Sequence, residues 1–303
     1  MTIRIGIDLG GTKTEVVALN ESGETCYRTR IATPSRDYSA MMTCITDLVR
    51  EAEQHLGTVA SIGIGTPGSP SPATSLMRNA NTECLNGKPF PQDLKHALGR
   101  EIRIANDANC FALSEAIDGA GRNARTVFGV ILGTGTGGGV VIEGRPVIGR
   151  NAIAGEWGHN PLPWPTTSEL PGPACYCGRL GCIETFVSGP GLSRDHEHHT
   201  GETLDTLQIT ERSAAAEPRA SATLERYFDR LARSLAQVIN LLDPDVIVLG
   251  GGLSGIDSLY QELPARLPDY VFSDTFTTPI VPAVHGDASG VRGAAWLWPA
   301  SKE

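Results

Sequence analysis

The chain has 303 residues, 40% of them hydrophobic, with a formal net charge of −9 and seven cysteines. That length exceeds what one compact core usually fills and points to two lobes. The acidic balance speaks against a surface that wraps nucleic acid or docks on an anionic membrane. No apolar run reaches the length of a membrane span. The N-terminus opens directly on a strand pattern, with no signal-type apolar region, so a reducing, cytoplasmic setting is expected.

Residues 3–9 alternate and turn at Asp8-Leu9-Gly10-Gly11-Thr12-Lys13 before a second apolar run over 14–19. A further turn at 20–24 and a strand near 25–31 complete a β-meander. A helix is predicted over about 38–55, with Met41, Met42, Ile45, Leu48 and Val49 on its apolar face. A central strand over 59–65 ends in Gly65-Thr66-Pro67-Gly68-Ser69. Loops in that position line ligand crevices in α/β sheets, which makes Gly65 a candidate substrate contact. Residues 70–92 are loop-rich, a helix follows near 92–98, and a strand over 102–104 leads through Asn106-Asp107 into a helix over 108–117.

The opening pattern then returns. A strand over 127–132, a turn over Gly133-Thr134-Gly135-Thr136-Gly137-Gly138-Gly139, a strand over 140–142 and a turn at 143–146 repeat it. This duplication predicts two lobes of like topology with a boundary near residue 119. The N-terminal lobe is expected to hold residues 1–118 with 287–303, and the C-terminal lobe residues 119–286, including a metal loop over 156–184. A Pro-rich insert occupies 160–174. Residues 193–215 are polar and poorly periodic, and His196, His198 and His199 read as a solvated face. A long helix over 219–242 is followed by an unbroken apolar strand over 246–249, which ends in Gly250-Gly251-Gly252. The last helix, about 289–297, is expected to pack on the first lobe.

Several groups carry chemistry. Cys175-x-Cys177-Gly-x-x-Gly-Cys182, with His159 upstream, offers three thiolates and an imidazole, a full ligand set for closed tetrahedral zinc. Two glycine loops, Gly10-Gly11-Thr12-Lys13 and Gly133-Thr134-Gly135-Thr136-Gly137, let backbone N–H groups approach phosphates. Gly133-x-Gly135-x-x-Gly138 matches the dinucleotide fingerprint literally, but it opens a strand pattern where that motif must open a helix. Asp8, beside the first glycine pair, reads either as a turn cap or as an acceptor for metal-bound water near phosphates. Asp107 reads either as a helix N-cap or as the base that takes a hydroxyl proton in phosphoryl transfer to an alcohol. Asn106, Glu156, His159 and Glu184 suit sugar hydroxyls.

Together, Asp8-Leu9-Gly10-Gly11-Thr12-Lys13, the Gly133–Gly137 loop, Glu156-x-Gly158-His159 and Cys175-x-Cys177-Gly178-x-x-Gly181-Cys182-x-Glu184 resemble the ROK family of repressors, open reading frames and sugar kinases. Asn79-Ala80-Asn81, Leu85-Asn86-Gly87 and the 285–299 segment look most like its manno(fructo)kinases, although Glu83-Cys84 stand where that group carries an aromatic residue. The resemblance implies a two-lobed actin-like ATPase fold with RNase H-like lobes closing on Mg-ATP and a hexose. It implies zinc on His159, Cys175, Cys177 and Cys182, and Asp107 as general base. Sugar contacts would come from Asn106, Glu156, His159 and Glu184. ATP phosphates would fall to the two glycine loops and adenosine to the region of Gly251 and Gly252. It further implies a homodimer. The activity expected is phosphorylation of the 6-hydroxyl of fructose, and of mannose with it. Glucose or an N-acetylhexosamine is the alternative substrate. A sugar-sensing repressor of the family is disfavoured because only two residues precede Ile3, too few for a helix-turn-helix.

Overall fold

The computed structural model describes residues 2–80 and 82–299; Asn81 of the Asn79-Ala80-Asn81 motif lies outside the described residues. In chain order the first half comprises β1 (Arg4–Leu9), β2 (Lys13–Leu19), β3 (Thr25–Ala32), α1 (Tyr38–Leu56), β4 (Ser61–Thr66), the short hairpin β5 (Ser69–Pro70) and β6 (Met77–Arg78), α2 (Phe90–Leu98), β7 (Ile102–Asn106) and α3 (Asp107–Ile117). Then come β8 (Thr126–Leu132), β9 (Thr136–Ile142), β10 (Arg145–Pro146), α4 (Glu184–Val187), α5 (Gly189–Thr200), α6 (Thr206–Ala214), α7 (Pro218–Leu242), β11 (Val246–Gly250), α8 (Leu259–Arg266), β12 (Ile280–Pro282) and α9 (Ser289–Trp296). No helix among the described residues is long and apolar enough to cross a membrane.

One five-stranded sheet runs β3-β2-β1-β4-β7, and a second runs β10-β9-β8-β11-β12. In the first, β1 pairs antiparallel with β2 and parallel with β4, which pairs parallel with β7. In the second, β8 and β12 flank β11 in parallel, and β10 closes antiparallel on β9. Each sheet therefore puts an antiparallel meander beside parallel strands, the duplication visible in the glycine-punctuated sequence. This mixed α/β architecture is the actin-like ATPase fold.

Two compact units result. One contains residues up to 123, 139–154 and those from 284 onward; the other contains 124–138 and 155–283. The division expected from sequence, 1–118 with 287–303 against 119–286, differs from this chiefly at 139–154. There β9 lies on α3: a Cβ on Gly139 would sit 2.5 Å from the Ala108 carbonyl oxygen. The absent side chain is what allows that approach.

In the first unit, Ile5 and Ile7 of β1 point into a core shared with Met41, Ile45, Leu48 and Val49 of α1. Between them Gly6 points the opposite way, as strand alternation requires. That side is covered by α9. A Cβ on Gly6 would fall 2.0 Å from the Val291 carbonyl oxygen, and one on Gly63 1.8 Å from that of Ala294. Small residues on both partners bring helix and sheet backbones together and leave no room for substitution.

The stretch over 193–215 departs from the sequence reading. It folds as α5 and α6. The Ser188 side chain accepts from Gly191 N to start α5, and a reciprocal Asp205–Gln208 capping box starts α6. His196 is not on a solvated face. It is 1% exposed, and its Nδ1 lies 3.0 Å from Thr223 Oγ1 of α7. Leu192 and His196, four apart, form the buried side of α5, and the polar residues between them dilute the apolar period. His198 and His199 are exposed as expected. The strand expected over 140–142 begins earlier, at Thr136, so the second glycine turn is shorter than its sequence suggests.

Candidate functional site

In the first unit, Asp8 and Gly65 are register partners on β1 and β4, and Asn106 closes β7 two strands away. Gly65 is a buried strand residue, because β4 continues to Thr66 before the loop begins. Asn106 caps α3: its Oδ1 accepts from Ala108 N at 2.9 Å. Asp107 is the first residue of α3, is exposed, and its Oδ1 accepts from the same N–H at 2.8 Å. The N-cap is thus Asn106 and not Asp107, whose carboxylate is left exposed at the start of the helix. Burial, then the like charges of Asp107 and Glu15, push the Asp8 carboxyl up to about 7, against the opposing pull of Arg30. A cation beside Asp8 would relieve that like-charge repulsion.

In the second unit, Glu156 precedes a 3-10 turn over Trp157–His159. Trp157 Nε1 donates to the Gly137 carbonyl at 3.0 Å and packs edge-on against Phe128 with ring centroids 5.7 Å apart. A Cβ on Gly158 would fall 2.2 Å from the Thr136 carbonyl oxygen. The turn is therefore held flat against the start of β9, which leaves Glu156 exposed and His159 half-buried. Farther along, Glu184 opens α4, and its Oε2 accepts from Thr136 N at 2.9 Å. A side chain on Gly135 would collide with that carboxylate. Glu184, expected at the sugar, is tied by this bond to the second glycine loop.

The ligand atoms of His159, Cys175, Cys177 and Cys182 all lie within 4.8 Å of one another. His159 Nδ1 is 3.6 Å from Cys175 Sγ, and Cys177 Sγ is 3.6 Å from Cys182 Sγ. A tetrahedron with metal–sulfur bonds of ~2.3 Å has edges of about 3.8 Å, so the donor set fits zinc in spacing and chemistry. Bridges pairing Pro161 with Cys182 and Ala174 with Leu180 hold the loop's ends together. Tyr176, between two of the cysteines, is 84% exposed, and its hydroxyl lies 2.9 Å from His159 Nε2. Although the ring is exposed, desolvation of the hydroxyl itself, then the carboxylates of Glu184 and Glu156, push its phenol up to about 12.

Unsatisfied polar groups lie in or beside the glycine loops. Thr136 Oγ1 is buried without a hydrogen-bond partner among the described residues, and so is Thr82 Oγ1. Thr82 Oγ1 lies 3.6 Å from where a Cβ on Gly11 would be. Gly10, Gly11, Thr12 and Lys13 form a tight turn closed by Gly10 N to the Lys13 carbonyl at 3.0 Å, and Lys13 is exposed. Gly251 has a φ of 80°, and a side chain there would strike the Leu132 carbonyl oxygen at 2.4 Å, whereas Gly252 faces open space. Glycine turns whose backbone N–H groups can be approached closely suit phosphate oxygens.

Sequence reasoning missed a buried ionic cluster joining the Pro-rich insert to α7. Glu169 is 8% exposed and bonds Arg230 and Arg233 of α7. Arg230 also reaches Asp195, at 2.7 Å. The available signal was the Thr166-x-x-Glu169 capping box within the Pro-rich insert. A cavity of about 250 Å³ opens beside this cluster, lined by Leu170, Phe186, Arg194 and His198 among others. None of the sequence-predicted site residues lines it.

The ROK family pattern matches residues 4–301. An N-acetyl-D-glucosamine kinase of Yersinia pseudotuberculosis is 42% identical over 301 residues, covering 98% of this chain and 99% of that kinase. Among solved structures, a ROK hexokinase from Thermus thermophilus superposes with a TM-score of 0.86 at 29% identity, covering 97% of each chain. A ROK glucokinase from Streptomyces griseus, in complex with glucose and AMPPNP, gives a TM-score of 0.76 at 26% identity, covering 97% of this chain and 98% of that one. These relatives overturn the expected fructokinase assignment. The motifs behind it are scaffold glycines and asparagines, whereas discrimination among hexoses rests on hydrogen-bond geometry that short motifs do not encode. The chain belongs to the ROK family.

Proposed function

We propose that this protein is an ATP-dependent N-acetyl-D-glucosamine kinase acting on the sugar 6-hydroxyl. The observation that carries the reading is 42% identity to such a kinase across 98% of the chain. The residues present are compatible with it. In this reading Asp107 accepts the proton of the attacking hydroxyl as its oxygen bonds to the γ-phosphorus and the bond to the ADP oxygen breaks. Asn106, Glu156, His159 and Glu184 hold the sugar, the carboxylates accepting from its hydroxyls, whereas Gly65, buried and paired on both sides in β4, contributes only to the sheet beneath. The turns at Gly10–Lys13 and Gly133–Gly137 cradle the phosphates, and Gly251 and Gly252 border the adenosine.

Asp8 would hold the cation that accompanies ATP, and magnesium there would neutralise charge on the phosphates. Zinc on His159, Cys175, Cys177 and Cys182 would be structural, because four protein ligands leave no open position for water. It would orient the ends of the loop that carry Glu156 and Glu184. The same reading takes the enzyme as a cytoplasmic homodimer.

The test is product analysis. Purified protein with ATP, Mg²⁺ and N-acetyl-D-glucosamine should release one ADP per sugar phosphorylated, with a phosphomonoester at C6 by ³¹P and ¹³C NMR. Absence of sugar-dependent ADP, or phosphate on another carbon, refutes it.

A further inference from the structure

The cavity of about 250 Å³ in the second unit lies among the Pro-rich insert, α4, α5 and α7, and no residue assigned above to sugar, phosphate or zinc lines it. Pockets for drug-sized ligands span about 300–1,000 Å³, so this one suits a compact molecule and not a nucleotide. Leu170 and Pro173 of the insert and Phe186 of α4 give it an apolar wall. Phe186 is buried, with the Arg230 guanidinium 5.2 Å from its ring centroid, which fixes that wall.

The polar side of the cavity carries an uneven charge. Glu169 in the lining is held by Arg230 and Arg233, and Asp195 by Arg226 and Arg230, both at 2.7 Å. Asp229, the next carboxylate of the cluster, pairs with Arg233 at 2.9 Å. The arginines of α7 are thus matched by carboxylates. Arg194, which also lines the cavity, is not: no carboxylate pairs with it among the described residues, and its Nη2 donates to the Thr185 carbonyl, a neutral acceptor. The helix itself closes on that carbonyl, because a Cβ on Gly191, one turn earlier in α5, would fall 2.8 Å from the same oxygen. The guanidinium is therefore held in place while keeping its full charge and further N–H donors. His198, four residues on, lines the same side.

We infer that this cavity is a second ligand site, which binds a small phosphate monoester with its phosphoryl oxygens on Arg194 and its carbon skeleton against Leu170, Pro173 and Phe186. The planar guanidinium fork matches phosphate oxygens, and such charge-assisted bonds are roughly twice as strong as neutral ones. An uncharged sugar would leave the guanidinium unanswered, and a nucleoside triphosphate exceeds the space. The site shares no residue with the proposed catalytic one, so the inference does not depend on which hexose is phosphorylated.

The probe is glucose 6-phosphate, titrated by calorimetry into the full chain saturated with AMPPNP, Mg²⁺ and N-acetyl-D-glucosamine, which keep the proposed catalytic site filled. One further molecule should bind per chain. Arg194→Gln should weaken that binding about tenfold or more, the loss expected for one hydrogen bond to a charged group. Ser168→Glu, which adds a carboxylate to the lining without touching Arg194, should weaken it as much, and decides the matter if the first variant fails to fold by circular dichroism. Gluconate, a sugar acid of similar size, should bind more weakly than the phosphate ester. No binding by wild type at millimolar ligand, unchanged affinity in a folded variant, or gluconate binding as tightly each overturns the inference. If N-acetyl-D-glucosamine itself does not bind, the proposed function fails, and the same titration with glucose in its place still decides the cavity.

Discussion

Replacing Glu169 by alanine removes the anion at the centre of a buried cation pair. Its Oε1 accepts from Arg230 Nε at 2.8 Å and Arg233 Nη2 at 2.8 Å; its Oε2 accepts from Arg233 Nη1 at 3.0 Å and Thr166 N at 2.8 Å. The side chains of Arg230 and Arg233 are only 7% and 3% exposed, so water cannot replace the carboxylate. Breaking a buried pair from one side typically costs about 3–5 kcal/mol. The low end applies here, because Arg230 keeps Asp195 at 2.7 Å and Arg233 keeps Asp229 at 2.9 Å and the carbonyls of Pro163 and Trp164.

A loss of about 3 kcal/mol is therefore expected in urea titrations followed by tryptophan fluorescence, a midpoint shift of about 1 M or more at ordinary m-values. The pH dependence has a definite sign. Burial pushes the Glu169 carboxyl up, but the Arg233 and Arg230 hydrogen bonds and the Thr166 N–H outweigh it and hold it down at about 2, below its ordinary 4.5. A depressed carboxyl stabilises the fold above its unfolded value and loses that contribution as pH falls through the folded one. Wild type and variant should therefore converge as pH drops from 4.5 towards about 2. A loss below about 1 kcal/mol at pH 7, or a difference that widens on acidification, refutes the reasoning.

Two further substitutions separate catalysis from the metal loop. Asp107→Asn should lower kcat by about 10²–10⁴-fold while calorimetry shows sugar binding nearly unchanged, and near-normal turnover would remove this residue as the base. Cys177→Ser should leave the protein without stoichiometric zinc and raise the sugar KM more than it lowers kcat. Full zinc occupancy in that variant, or none in wild type, contradicts the ligand set.

Much of this was legible because certain constraints are written locally. The cysteine spacing with His159 predicts a ligand set whose donor atoms do converge. Glycine pairs between apolar runs predict the two meanders, because only glycine lets backbones turn or approach so closely. Other features depend on partners distant in sequence. Glu169, Arg230 and Arg233 look like surface charges until folding buries them together, and α7 hides those arginines within an otherwise apolar stripe. His196 resembles its exposed neighbours until Thr223 is placed beside it. The hold of Glu184 on Thr136 joins residues 48 apart, and nothing in either segment signals it. Sugar identity is the least local property, since it depends on the positions of a few donors and acceptors to within a hydrogen bond's tolerance.

The central claim is tested most directly by kcat/KM for N-acetyl-D-glucosamine, glucose, mannose and fructose, measured with ATP in a coupled ADP assay. The account predicts that N-acetyl-D-glucosamine exceeds each of the others by about tenfold or more. A higher kcat/KM for glucose, mannose or fructose would contradict it.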